Sequence, residues 1–234
     1  MTDLSAFPIS TRWPAQHPDR IQLYSFPTPN GVKASIMLEE VGLAYEAHKV
    51  DITKNETWGP EFLSLNPNGK IPAIIDPDGP GGKPIGLFES GAILTYLAEK
   101  TGKLLPTDPA RRFETLQYLF WQVGHVGPMF GQFGYFFAHG GKEIEDKRPM
   151  QRYRDETKRL LRVIEDRLQG REWLMGDDYT IADIAIFPWV RGLTVFYKAG
   201  DELGMGELKA VPAWIERAEA RPASQKGLTI PARD

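Results

Sequence analysis

The chain has 234 residues, 41% of them hydrophobic and 25% charged, an ordinary balance for a globular protein with room for one large domain or two small ones. Its 28 Lys and Arg are dispersed among 31 Asp and Glu, giving a formal charge of −3 and a pI near 5.9, so there is no basic field for nucleic acid. There is no cysteine, which excludes disulfides, zinc–thiolate sites and a cysteine nucleophile, and His17, His48, His125 and His139 are too widely spaced to suggest a metal cluster. The N-terminus lacks the basic and apolar regions of a signal peptide, and no run of about 18 apolar residues occurs, so the expectation is a soluble, cytoplasmic protein without a membrane partner.

Residues 1–20 carry Pro8, Pro14 and Pro18 among polar residues and Trp13, which predicts an extended arm lying on the body of the protein, or a disordered tail. Ile21 to Ser25 reads as a strand, followed by the turn-rich Pro27-Thr28-Pro29-Asn30-Gly31 and a helix with Ala34, Met37, Leu38 and Val41 on one face, stopped by Gly42. A second strand is expected over Tyr45 to Val50, a short helix or turn over Trp58 to Leu65, and a third strand over Lys70 to Asp76. The Gly/Pro loop from Pro77 to Gly82 marks a hairpin, with a fourth strand from Lys83 to Leu87. A helix then begins near Ser90 with Ile93, Leu94, Leu97 and Ala98 as its apolar stripe, giving the order β-α-β-α-β-β-α.

After Leu105-Pro106-Thr107 strand signals nearly vanish. Asp108-Pro109 reads as an N-cap with proline at the first helical position, opening a helix whose expected core positions are Phe113, Leu116, Phe120 and Val123. A second long helix is expected from Met150 to Leu168. The aromatic, glycine-rich stretch Gly127 to Gly141 lies between them, and suits either packing between helices or the lining of an apolar pocket. Thr180-Ile181-Ala182-Asp183 forms a capping box, which makes Asp183 structural, and Val211 to Arg221 reads as the final helix.

Two segments suit a small zwitterionic peptide: Asn66-Pro67-Asn68-Gly69-Lys70-Ile71-Pro72-Ala73-Ile74 and Phe88-Glu89-Ser90-Gly91-Ala92-Ile93. A cis Ile71-Pro72 bond would expose the Ile71 amide and carbonyl, to which an extended peptide adds like a strand. The helix starting at Ser90 aims free amides at the same surface and suits a carboxylate, Glu89 suits an ammonium, and Lys70 reaches a second carboxylate at the far end. Singly, Lys70 reads as a solvated lysine, Glu89-Ser90 as a helix cap and Pro72 as an edge proline. Their order and spacing together match glutathione.

Over nearly its whole length, from Ile21 to about Pro222, the chain resembles a glutathione transferase. The Asn-Gly-Lys-Ile-Pro-Ala and Phe-Glu-Ser-Gly-Ala-Ile segments resemble the glutathione site of that family, and Thr180 to Asp183 its helical-domain capping box. More narrowly, Thr28-Pro29-Asn30-Gly31, the segment from Phe88 to Leu94, and Leu119-Phe120-Trp121-Gln122 resemble the bacterial Nu class, the disulfide-bond oxidoreductase type. The resemblance implies an α/β thioredoxin-like N-terminal domain (21–104, after an N-terminal extension, 1–20) and an all-α C-terminal domain (105–234). It also implies a homodimer that reduces small-molecule disulfides with glutathione as thiol cosubstrate and no metal.

Thr28 and Asn30 match residues beside the glutathione sulfur in that class, and Arg152 matches an arginine that also reaches the site. A sulfur at the Thr28–Asn30 turn meets helix-terminal amides and a hydroxyl or amide donor, which favours the thiolate over a thiol of pKa about 8.5. A plain turn with a capping asparagine is the alternative there. Thr57 and Arg148 depart from the residues found in some relatives. Conjugation or thioether cleavage on an aromatic electrophile, and a noncatalytic glutathione-fold binding protein, are the competing readings of function.

Overall fold

The computed structural model describes residues 4–233, which form two compact units: residues up to 103 together with those from 222 onward, and residues 104–221. Residues 1–3 of the expected N-terminal extension, and Asp234 of the expected C-terminal domain, lie outside the described residues.

Unit 1 opens with a short helix α1 (Ile9–Arg12) and continues through β1 (Ile21–Ser25), α2 (Gly31–Val41), β2 (Tyr45–Lys49), α3 (Pro60–Leu65), β3 (Ala73–Asp76), β4 (Ile85–Phe88) and α4 (Ser90–Thr101). The sheet order is β2-β1-β3-β4, with β2 parallel to β1 and both other pairs antiparallel, a thioredoxin-like arrangement. Leu23 stands between Ala47 and Ile74, and Tyr24 between His48 and Ala73, so the two faces of β1 alternate. All five β1 residues are buried because the strand is central and covered on both faces.

One face is covered by the N-terminal arm. Leu4 and Ile9 are core residues with Tyr24, Phe62, Ala73 and Ile75, and Trp13 packs edge-on against Tyr24 and Phe62. The Trp13 Nε1–H also donates to the Lys49 carbonyl at 3.0 Å. The arm is therefore neither a tail nor extended throughout, since burial of Ile9 and Trp13 folds Ile9–Arg12 into a helical turn. A strand expected from Lys70 begins only at Ala73, because the cis Ile71-Pro72 bond and the Asn66–Gly69 turn take Lys70 to Pro72 out of the ladder. The fourth strand likewise runs 85–88 rather than 83–87.

Unit 2 consists of α5 (Pro109–Trp121), a π-helical stretch Gln122–Val126, α6 (Gly127–Ala138), α7 (Arg148–Leu168), α8 (Ile181–Val195), α9 (Gly200–Leu203) and α10 (Ala210–Ala220). Asp108 caps α5 by accepting from the Arg111 amide at 2.9 Å. The face of α5 expected to be core is the exposed one: Phe113 and Phe120 are each 70% exposed, and Thr115 and Leu119 are buried instead. The helix packs on α8 with a narrow row of smaller residues, which periodicity alone does not distinguish from the aromatic row. Phe130 and Phe133 are fully buried, so packing rather than pocket lining takes these two aromatics of the Gly127–Gly141 stretch.

The capping box at Thr180 and Asp183 is complete. Asp183 is wholly buried and accepts from the amides of Leu174 and Thr180 and from Trp214 Nε1, each at 3.0 Å. Burial pushes its carboxyl up to about 6 despite these donors. Glu165 on α7 accepts from the amides of Lys209, Ala210 and Val211 and so caps α10 from another helix.

The all-helical region does not extend to residue 234. After α10 the chain forms α11 (Pro222–Gly227), which packs on α2 and belongs to unit 1. Ser35 Oγ donates to the Gly227 carbonyl at 2.7 Å, and a Cβ at Gly227 would lie 2.7 Å from the Ile36 backbone, so only glycine permits this approach. The C-terminal segment follows its apolar and backbone contacts, which have no signature in sequence spacing.

Candidate functional site

The site is built from the turn before α2. Thr28 Oγ1 accepts from the Gly31 amide at 3.3 Å, and the Thr28 carbonyl accepts from Val32 at 3.0 Å. Gly31 is held against the end of β1: a Cβ there would stand 1.9 Å from the Phe26 carbonyl oxygen. Asn30 occupies the N-cap position but makes no side-chain cap. Its Oδ1 accepts from Lys33 Nζ at 2.8 Å instead.

Opposite stands the Asn66–Ile71 segment. The buried Asn66 side chain accepts from the Asn68 amide at 2.9 Å and donates to the Lys70 carbonyl at 2.5 Å, knitting the turn. The Ile71-Pro72 bond is cis, as expected. Thr28, Asn30, Lys70 and Ile71 line one cleft of about 360 Å³, a volume suited to a small ligand. Thr57 and Trp58 complete the wall; Trp58 is 58% exposed and its ring lies across Gly69. In the sequence, the one signal for Trp58 as a wall residue is a large aromatic in a polar loop.

Glu89 and Ser90 sit at the start of α4. Glu89 takes φ +71°, an unusual backbone for a residue with a side chain, of the kind that concentrates at functional sites. Ser90 is buried, and its Oγ accepts from Lys33 Nζ at 3.3 Å, which ties it to Asn30 through one ammonium. Lys33 carries no signal in the sequence, where a lysine at the start of a helix reads as solvated. Tyr24 is fully buried; desolvation, with Glu46 adding, raises its phenol, so it stays protonated in a packing role.

Arg152 is on α7 in unit 2, exposed in a cleft of about 790 Å³ with His125, Met129 and Tyr153. Among the described residues, no group of three or more His, Asp or Glu is placed to hold a metal ion.

Residues 20–99 match the family model described as glutathione S-transferase, N-terminal domain, and residues 128–222 the corresponding C-terminal domain model. The disulfide-bond oxidoreductase YfcG of Escherichia coli (strain K12) is 46% identical over 209 residues, covering 89% of this chain and 94% of that protein. A crystal structure of a glutathione transferase from Burkholderia graminis, with two glutathione molecules bound per subunit, is 60% identical with a TM-score of 0.98, covering 100% of this chain and 98% of that one. One from Pseudomonas putida, with one glutathione disulfide bound per subunit, is also 60% identical, with a TM-score of 0.96 and coverage of 98% and 100%.

Proposed function

The chain belongs to the glutathione S-transferase family, and from that membership we propose that it reduces small-molecule disulfides with glutathione as the thiol donor. The observation that carries this reading is the cleft joining the Thr28–Asn30 turn to Lys70 and Ile71 in a chain that has no thiol of its own. Thr28 and Asn30 are assigned to the glutathione sulfur and Ile71 to the peptide backbone. Lys70 takes the distal carboxylate, while Glu89 and Ser90 take the ammonium and carboxylate at the other end. Arg152, on α7 of unit 2, is assigned to the ligand from the family resemblance. The placement of Thr28, Asn30, Lys70 and Ile71 around one cleft supports the assignments of those four.

A glutathione thiolate attacks one sulfur of the disulfide, forming a mixed disulfide and expelling the other half as a thiolate. A second glutathione thiolate then attacks the mixed disulfide, giving glutathione disulfide and a second product thiolate. The two protons lost by glutathione end on the two product thiols. Since no protein cysteine can hold the intermediate, two glutathione molecules act in each cycle. The two glutathione molecules per subunit in the Burkholderia structure, and the disulfide in the Pseudomonas one, support that stoichiometry. Donors near the sulfur favour the thiolate, which is the attacking species.

The same proposal includes a homodimer, supported by the exposed apolar row formed by Phe113 and Phe120 on α5 and Val123 in the π-helical stretch that follows. It also includes a cytoplasmic location, where glutathione is kept reduced. No helix among the described residues is long and apolar enough to cross a membrane. The activity is tested with hydroxyethyl disulfide, glutathione and a coupled glutathione reductase: turnover proportional to enzyme is expected, and a rate equal to the uncatalysed exchange at high enzyme concentration would sink the reading.

A further inference from the structure

Lys33, in the first turn of α2, is 1% exposed, although lysines are almost never fully buried without partners. Its Nζ donates to Asn30 Oδ1 at 2.8 Å and to Ser90 Oγ at 3.3 Å, so a single ammonium spans the start of α2 and the start of α4. We propose, on the reading of the adjoining cleft as a glutathione site, that Lys33 is a positioning residue whose ammonium makes Asn30 and Ser90 act as hydrogen-bond donors toward the ligand.

The reason lies in the donor inventory. An ammonium only donates, so the Asn30 amide must turn Oδ1 toward it, and what the amide presents elsewhere is Nδ2, which only donates. The Ser90 oxygen likewise accepts from Lys33, which directs its hydroxyl hydrogen to another acceptor. A thiolate and a carboxylate are acceptors without protons to give, and hydrogen bonds to an ionised acceptor are the stronger kind. Asn30 thereby discriminates thiolate from thiol, and Ser90 favours a carboxylate over a neutral group. Without the ammonium, the Asn30 amide is at liberty to flip and present its carbonyl, which repels a thiolate.

Charge acts in the same direction. Burial lowers Lys33 to about 7, against the opposite pull of Glu89 at the start of α4. On the other elements packed on α2, Lys226 of α11 is held by Glu39 at 2.8 Å, and Tyr24 of β1 is kept protonated by burial. An anion bound against this ammonium raises its affinity for a proton, and by reciprocity the ammonium lowers the pKa of a bound thiol.

The test is to titrate the ultraviolet thiolate absorbance of bound glutathione in the wild type and in Lys33→Met. The bound thiol is expected to titrate at least one unit higher in Lys33→Met, with a tenfold or greater loss of kcat at pH 7 and a smaller change in KM for glutathione. An unchanged thiol titration in folded Lys33→Met would overturn the role of Lys33 and leave the glutathione reading standing. A wild type that fails to bind glutathione would instead remove the reading itself, and the Lys33 role with it. Should Lys33→Met not fold, the wild type carries the test through the 13Cε resonance of Lys33. Its titration is expected to move upward with glutathione by more than with S-methylglutathione, which has no thiol; equal shifts with both overturn the proposal.

Discussion

Lys33 has a folded pKa near 7 against an ordinary value of 10.5, because desolvation disfavours its charge more than Glu89 favours it. Between those two values the unfolded chain binds the extra proton, so this group makes ligand-free stability rise with pH across the window from about 7 to 10.5, and leaves it flat below. Urea unfolding of the ligand-free protein at several pH values is expected to show that slope in the wild type and its loss in Lys33→Met. An equal slope in both proteins would place the titration elsewhere. Asp183 is the opposite case among buried charges: four donors from the chain around it, including Trp214 Nε1, give it a structural task that its capping-box spacing already predicts.

The exposed row on α5 sets Phe113 and Phe120 on the solvent side of a helix whose buried side is Thr115 and Leu119. Large aromatics left 70% exposed at helical spacing form an apolar patch of the kind that marks an interface. Replacing both with aspartate is expected to halve the mass measured by light scattering, with the helical circular dichroism of the protein retained. A double variant that keeps the wild-type mass would exclude this face from the dimer. The capping of α10 by Glu165 is a second relation between elements, since burial works against its charge and three amide donors outweigh it, holding the carboxyl below its ordinary value.

Unit 1 is completed by both ends of the chain. Leu4, Ile9 and Trp13 cover one face of the sheet, and α11 lies on α2, which carries Lys33 and Ile36 and begins just after Asn30. Removing residues 222–234 exposes Ser35 and Ile36 and loosens the helix that presents the site. Native-state hydrogen exchange of that truncated chain is expected to show at least a tenfold loss of protection in α2 with protection in α8 retained. Equal protection of α2 in both chains would show that α11 is dispensable to unit 1.

Local chemistry was legible in the sequence. The strand at Ile21–Ser25, the cap at Asp108, the capping box at Thr180, the Thr28–Asn30 turn and the Asn66–Ile71 segment each follow from residue types a few positions apart, where sterics and local hydrogen bonds decide; that the last two face one cleft is a tertiary fact. Order and spacing pointed to a glutathione-shaped ligand, and the resemblance to a known family supplied what they do not, the reaction and the assignment of Thr28 and Asn30 to the sulfur. Only the tertiary structure decided which face of α5 is buried, where the N-terminal arm lies, that α11 returns to unit 1, and that Lys33 is a buried ammonium between Asn30 and Ser90. Each of these depends on burial against residues distant in the chain, 57 positions apart for Lys33 and Ser90 and 192 for Ser35 and Gly227. Periodicity reports which faces are apolar, but desolvation by long-range packing determines which of them is covered.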